Sequence, residues 1–224
     1  MKRVLFVGDG KHDIGTSEWP CDVPFAARGV VPHLSERVAA IDRTTSLALR
    51  WSDIPRLLPG KKGYLHKLRA AQLLGRRHGL DAVVAVVDED NEPDRHTLTE
   101  AAKHEVPGVP AVLGVAVRSI EAWTLGAVTA LAAELGTTSA QLHARYPAPI
   151  ERLYEGSNKE ELRPKLLLRK LAEDTAHRGD SLELREKVAE RSDIDELCRH
   201  CPDGFARFAA DLRARLGART PPLI

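Results

Sequence analysis

The run Ala82–Val87 holds six apolar residues, four of them valine, and ends in Asp88, Glu89 and Asp90. Its length and β-branched content make it a strand, and its lack of polar alternation means that both of its faces must be covered. Val4–Val7 has the same character and stops at Gly-Asp-Gly. Ala111–Val117 is a third such run, and Ser46–Trp51 is a fourth with only partial alternation. Helical patterns separate them. Pro32–Ile41 puts Leu34, Val38 and Ile41 on one face. Gly63–Gly79 puts Leu65, Leu68, Ala71 and Leu73 at helical spacing, with basic residues before a terminal glycine. Asp94–Glu105 reads as a further helix that Pro107 ends, and Ser119–Gly136 as one long helix closed by glycine. Strands alternating with helices in this order predict an α/β fold: a mostly parallel central sheet flanked by helices.

From about Thr137 the chain becomes charged, helical and poor in strands, through Asn158–Asp174, Ser181–His200 and Gly204–Gly217. The expected organisation is therefore an α/β domain over residues 1–136 and a C-terminal helical appendage over 137–224, packed on the sheet or its edge. The chain has 224 residues, 43% of them hydrophobic, and a formal net charge of +1. This supports a real core and argues against wholesale disorder. Near-neutrality neither demands nor excludes a polyanionic partner, since local charge distribution steers such binding. The N-terminal apolar run is too short for a signal sequence, and nothing approaches the roughly 20 apolar residues of a membrane span. Three cysteines, of which only Cys198 and Cys201 are close together, read as ordinary thiols of a reducing cytoplasm.

Parallel sheets bind ligands beyond the carboxyl ends of their strands. Three of those ends carry acids here. The first strand leads into Asp9 and Asp13, the Ala82 strand into Asp88 and Asp90, and the Ala111 strand through Arg118 and Ser119 to Glu121. Carboxylates gathered on one rim repel one another unless a cation screens them, and hard oxygen donors suit Mg²⁺ or Mn²⁺. Duller roles remain open for each: an Asx turn for Asp9, a solvated loop for Asp13, a turn for Asp88 and Asp90, an N-cap for Asp94, and a helix N-terminal acid for Glu121. Lys11, Lys61 and Lys62 are candidates for phosphate contact, the last two in a Gly-rich turn that also reads as a solvated basic loop. His12, beside Asp13, is a candidate proton carrier. Neither a dinucleotide fingerprint nor a phosphate-binding loop is present.

An acid and glycine after the first strand, followed by D-x-D after a later one, resemble the topoisomerase–primase (TOPRIM) domain. The segments are Asp9-Gly10-Lys11-His12-Asp13 and Asp88-Glu89-Asp90. Ser119–Gly126, SIEAWTLG, is similar to the Ser-x-Glu-Ala-Trp motif of a small TOPRIM-like bacterial family. Cys201–Leu212 is similar to that family's Phe-containing C-terminal helix. The TOPRIM opening is normally Glu-Gly, whereas this chain has the shorter Asp9.

The resemblance implies Mg²⁺-dependent phosphodiester chemistry on DNA or RNA. It implies metal ligation by Asp88 and Asp90 with Asp9 and Glu121, proton transfer by Asp9, and an ABC- or AAA-type ATPase partner in a bacterial defence locus. No tyrosine stands out as a covalent nucleophile, so hydrolysis is expected over strand rejoining. Two alternatives stay open: a non-catalytic TOPRIM-like subunit that binds the ATPase, and a phosphoesterase acting on small molecules.

Overall fold

In the structure, a computed structural model, residues 1–15, 25–54, 63–89, 109–146, 149–153, 162–175 and 181–219 are described. Four strands run parallel: β1 (Val4–Gly8), β3 (Leu47–Arg50), β4 (Ala82–Asp88) and β5 (Ala111–Ala116). A two-residue strand, β2 (Phe25–Ala26), pairs antiparallel with β3, and the sheet order is β2-β3-β1-β4-β5. The chain moves from β1 outward to β3, then back across β1 to β4. The crevice where strand order reverses therefore opens at the carboxyl ends of β1 and β4.

The alternating pleat divides the sheet's side chains into two cores. Val4, Phe6, Ala48, Ala82, Val84, Val86, Val112 and Ala116 face one layer, built from α2 (Val30–Val38) and the C-terminal helix α10 (Phe205–Leu216). Leu5, Val7, Leu49, Val83, Ala85, Val87, Leu113 and Val115 face the other, where α3 (Tyr64–Arg77), Trp51 and Ile54 lie. Burial on both sides is why these strands carry apolar residues at every position. The expected fold class is thus the observed one: a mostly parallel sheet between helices, followed by further helices.

A third apolar cluster is entirely helical. It joins α4 (Glu121–Gly126), α5 (Val128–Leu135), α6 (Ser139–Arg145), α7 (Pro164–Glu173) and α8 (Leu182–Arg191), with Tyr146 and Ile150. A short helix, α9 (Ile194–His200), then leads to α10. Trp123 of α4 lies against Phe205 and Phe208 of α10, both rings with centroids 5.3 Å from the indole, one edge-on and one stacked. The aromatic residues of the two resembling segments therefore meet in the core. Cys198 and Cys201 are free thiols, the latter fully buried. Among the described residues, no helix is long and apolar enough to cross a membrane.

Several local expectations are corrected. The predicted single helix over 119–136 is two helices, broken at Ala127. The carbonyls of Leu125 and Gly126 accept from the Tyr146 hydroxyl (3.3 Å) and are met by the His200 ring nitrogen (2.8 Å), so tertiary partners have taken acceptors that a continuous helix would use. The apolar pattern over 181–200 is likewise two helices, because Asp193 caps α9 through bonds to the Asp195 and Glu196 N–H groups. The helix over 32–41 ends early, at Val38, where Ala39 and Ile41 become extended and bridge to Ala218 and Lys2. Leu73, expected on the buried face of α3, is exposed, and only Leu68 and Ala71 of that set are fully buried. Strand β2 has too few residues to leave a sequence signal. The helix expected over 94–105 lies outside the described residues.

Candidate functional site

Asp88 is the last residue of β4, and its position at the strand end follows from the apolar run that precedes it. Its Oδ1 accepts a hydrogen bond from the Ile120 N–H at 2.9 Å, which ties it to the turn before α4. Burial and the nearby charges of Asp13, Glu121 and Asp9 push its carboxyl up to about 8, against the opposing bond from Ile120. A carboxyl with that shift holds its proton at neutral pH when no cation is near.

Asp13 belongs to a one-turn helix, α1 (Lys11–Ile14), that folds back over the end of β1. Its Oδ2 accepts from the N–H groups of Asp9 (3.0 Å) and Gly10 (2.8 Å), closing the Asp9–Asp13 segment on itself. The fold-back needs a glycine at position 8, because a Cβ there would stand 2.9 Å from Ile14 Cγ2 and 3.0 Å from Asp13 Cβ. Burial raises Asp13 to about 6, helped by Glu121 and Asp9 and opposed by the Gly10 N–H and Arg185.

Glu121 behaves differently. Burial, the largest single influence, would raise it, but the Arg185 guanidinium together with hydrogen bonds from Ser119 and the backbone holds it below the usual carboxylate range. Arg185 Nη2 donates to Glu121 Oε1 at 3.0 Å, and both side chains are almost wholly inaccessible, at 1% and 8%. Before α4 the chain turns at Arg118, whose φ of 64° is rare for a non-glycine residue. The Arg118 N–H there points to Glu89 Oε2 at 3.4 Å. Strained backbone of this kind gathers at functional sites.

Of the residues singled out in the sequence, Asp9, Asp13, Asp88 and Glu121 thus stand close enough to perturb one another, from three separate strand ends. Asp9 is exposed, Lys11 is exposed beside it, and His12 is half-buried on the same turn. Asp90, Asp94, Lys61 and Lys62 lie outside the described residues. Among the described residues, no three His, Cys, Asp or Glu side chains are grouped so as to hold a metal ion. Glu121 is engaged by Arg185, and one oxygen of Asp13 is occupied by backbone.

Arg185 was not singled out in the sequence. Its signal was a charged residue on an apolar helix face: it stands three residues before Val188 and four before Ala189, both buried. Its partner Glu121 is 64 residues away, so nothing local names the pair. No family model, no curated protein and no solved structure matches this chain.

Proposed function

We propose that the acidic rim at the ends of β1, β4 and β5 is the site of a Mg²⁺- or Mn²⁺-dependent phosphodiester hydrolase acting on nucleic acid, as the TOPRIM resemblance implies. One observation carries this reading: Asp88 is pushed up to about 8 in the company of Asp13, Glu121 and Asp9. A fold that needs no ligand has little reason to gather carboxylates against their own repulsion. Asp13 and Asp88 would be the carboxylates that meet a hydrated ion; Mg²⁺ commonly binds through one or two carboxylates and keeps several waters. When bound, a dication supplies Lewis-acid polarisation of a phosphoryl oxygen and neutralises developing charge. Asp9, exposed at the mouth, takes the proton of an attacking water, and Lys11 neutralises a backbone phosphate. Asp90 adds a further carboxylate in the sequence directly after this set. An ABC- or AAA-type ATPase remains the proposed partner.

The test is cleavage of DNA, RNA and transfer RNA with Mg²⁺ or Mn²⁺, by the wild type and by Asp88→Ala/Asp90→Ala. Metal-dependent cleavage that disappears in the double variant is the expected result. The Arg185–Glu121 pair favours a second reading, a non-catalytic subunit bound to the ATPase, because it ties up one carboxylate of the rim. Absence of cleavage with and without such an ATPase, together with co-purification of the two proteins, would favour that second role.

A further inference from the structure

The amino ends of the strands form the pole opposite the acidic rim, and four chain segments are tied together there. Residues 1–3 lead into β1, 41–46 into β3 and 76–81 into β4, while 217–219 follow α10. Backbone bonds join them. The Lys2 N–H donates to the Ala40 carbonyl (2.7 Å), the Asp42 N–H to that of Lys2 (2.8 Å), the Asp81 N–H to that of Arg3 (2.8 Å) and the Ala40 N–H to that of Gly217 (3.1 Å). These segments carry six cations, Lys2, Arg3, Arg43, Arg76, Arg77 and Arg219, against two acids, Asp42 and Asp81. Both acids are used locally: Asp42 Oδ1 accepts from the Thr44 N–H and hydroxyl, and Asp81 Oδ2 accepts from the Arg3 N–H. Glu36 of α2 pairs with Arg43 at 3.5 Å. Arg3, Arg76, Arg77 and Arg219 are exposed and make no ion pair among the described residues. The whole chain has a net charge of only +1, yet one end of its sheet is acidic and the other basic.

The dipole of α3 favours cations in its last turn, which accounts for Arg76 and Arg77 but not for the arrival of Arg3 and Arg219 from other segments. Cations gathered without acidic partners favour a polyanion, whose binding releases condensed counterions. Strands β3, β1 and β4 are neighbours in the sheet, so the segments entering them span about 10 Å. That is wider than one phosphate group and suits successive phosphates of a strand. Five of the six cations are arginine, whose planar guanidinium meets two phosphate oxygens at once and is more weakly hydrated than an ammonium. An acidic rim repels a polyanion, so its capture has to come from another surface. We propose that this basic pole is a docking surface for the phosphate backbone of nucleic acid, contacted by Arg3, Arg76, Arg77 and Arg219. The choice of polyanion rests on the nucleic-acid reading above, but the docking needs no metal. Phosphates held here lie at the far end of β1 and β4 from Asp88, so the surface captures the polymer and takes no part in cutting it.

The test is fluorescence anisotropy of labelled duplex DNA and RNA with the full chain in a chelator, from about 50 to 200 mM salt. The chelator lets binding be read without cleavage. On duplex DNA each lost phosphate contact lowers the slope of log affinity against log salt by about 0.9, so Arg76→Gln/Arg77→Gln should lower it by about 2. Arg76→Lys/Arg77→Lys should keep the wild-type slope, because the slope counts charges. Arg169→Gln, on an exposed face of α7, should also keep it. An unchanged slope in a folded Arg76→Gln/Arg77→Gln would overturn the inference, as would a comparable fall in Arg169→Gln. So would failure of the wild type to bind nucleic acid at low salt, or its binding to vesicles rich in anionic lipid in place of nucleic acid. Docking intact with no cleavage in the metal assay strikes the hydrolase reading alone, and docking lost with cleavage intact strikes this inference alone.

Discussion

Asp88→Asn should make this protein more stable at neutral and alkaline pH, although it removes a residue of the proposed site. In the folded chain Asp88 takes up its proton at about 8, against 3.8 for the unfolded residue. Between those values the folded state carries a proton that the unfolded state has lost, so rising pH favours unfolding. The stability contributed by the neutral carboxyl is complete below 3.8 and is lost progressively up to about 8. Asparagine keeps an oxygen for the Ile120 N–H and has no proton to lose. At pH 7 about three pH units have been crossed, and at 1.36 kcal/mol per unit the ceiling is about 4 kcal/mol. Relaxation of a partly buried ion toward water lowers the expected gain to about 2 kcal/mol. For a chain of this size that is roughly 4–8 °C in melting temperature. Thermal unfolding of both proteins across this pH range, in the presence of a chelator, measures the difference. The gain should vanish near pH 4 and grow to its limit near pH 8, and Mn²⁺ should then stabilise the wild type but not the variant. A gain of equal size at pH 4 and pH 8, or a loss at pH 8, would refute the reasoning.

Arg185→Met should cost about 3–5 kcal/mol, because it strands the buried Glu121 charge, and Glu121→Gln in the same chain should recover most of that loss in urea denaturation. Gly114→Ala should cost about 1–3 kcal/mol, since its Cβ would stand 2.7 Å from Phe208 Cδ2; Phe208→Leu added to it should relieve part of the overpacking in the same assay. Glu151→Ala should cost about 3 kcal/mol by leaving the N–H groups of Asp203, Gly204 and Phe205 without their acceptor. The near-ultraviolet circular dichroism of Trp123, which rests on Phe205, should weaken with it.

The sheet was legible because each buried strand needs apolar residues on both faces, and a run such as Ala82–Val87 leaves few other folds open. The convergence of Asp9, Asp13, Asp88 and Glu121 was legible for a related reason: parallel strands send their carboxyl ends to the same rim. What escaped depends on partners distant in sequence. Nothing near Gly126 announces that Tyr146 and His200 will take the carbonyls of Leu125 and Gly126 and break the helix. Leu73 has helical spacing like Leu68, yet among the described residues it stays exposed. Arg185 sits in a segment that reads as an ordinary amphipathic helix, and its meaning comes from Glu121 in another layer. Backbone period is written locally, whereas the pairing of a buried charge is written only in three dimensions.

The Glu121–Arg185 separation also orders events on the ribosome. All four parallel strands and all four rim carboxylates have been synthesised by Glu121, but the guanidinium follows 64 residues later. At typical elongation rates that is an interval of about 3–13 s. During it the nascent sheet can pair strand to strand while Glu121 lacks the guanidinium that holds it ionised in the finished fold. The rim therefore cannot reach its final form before α8 has been made, and the sheet's own cover is completed later still, by α10.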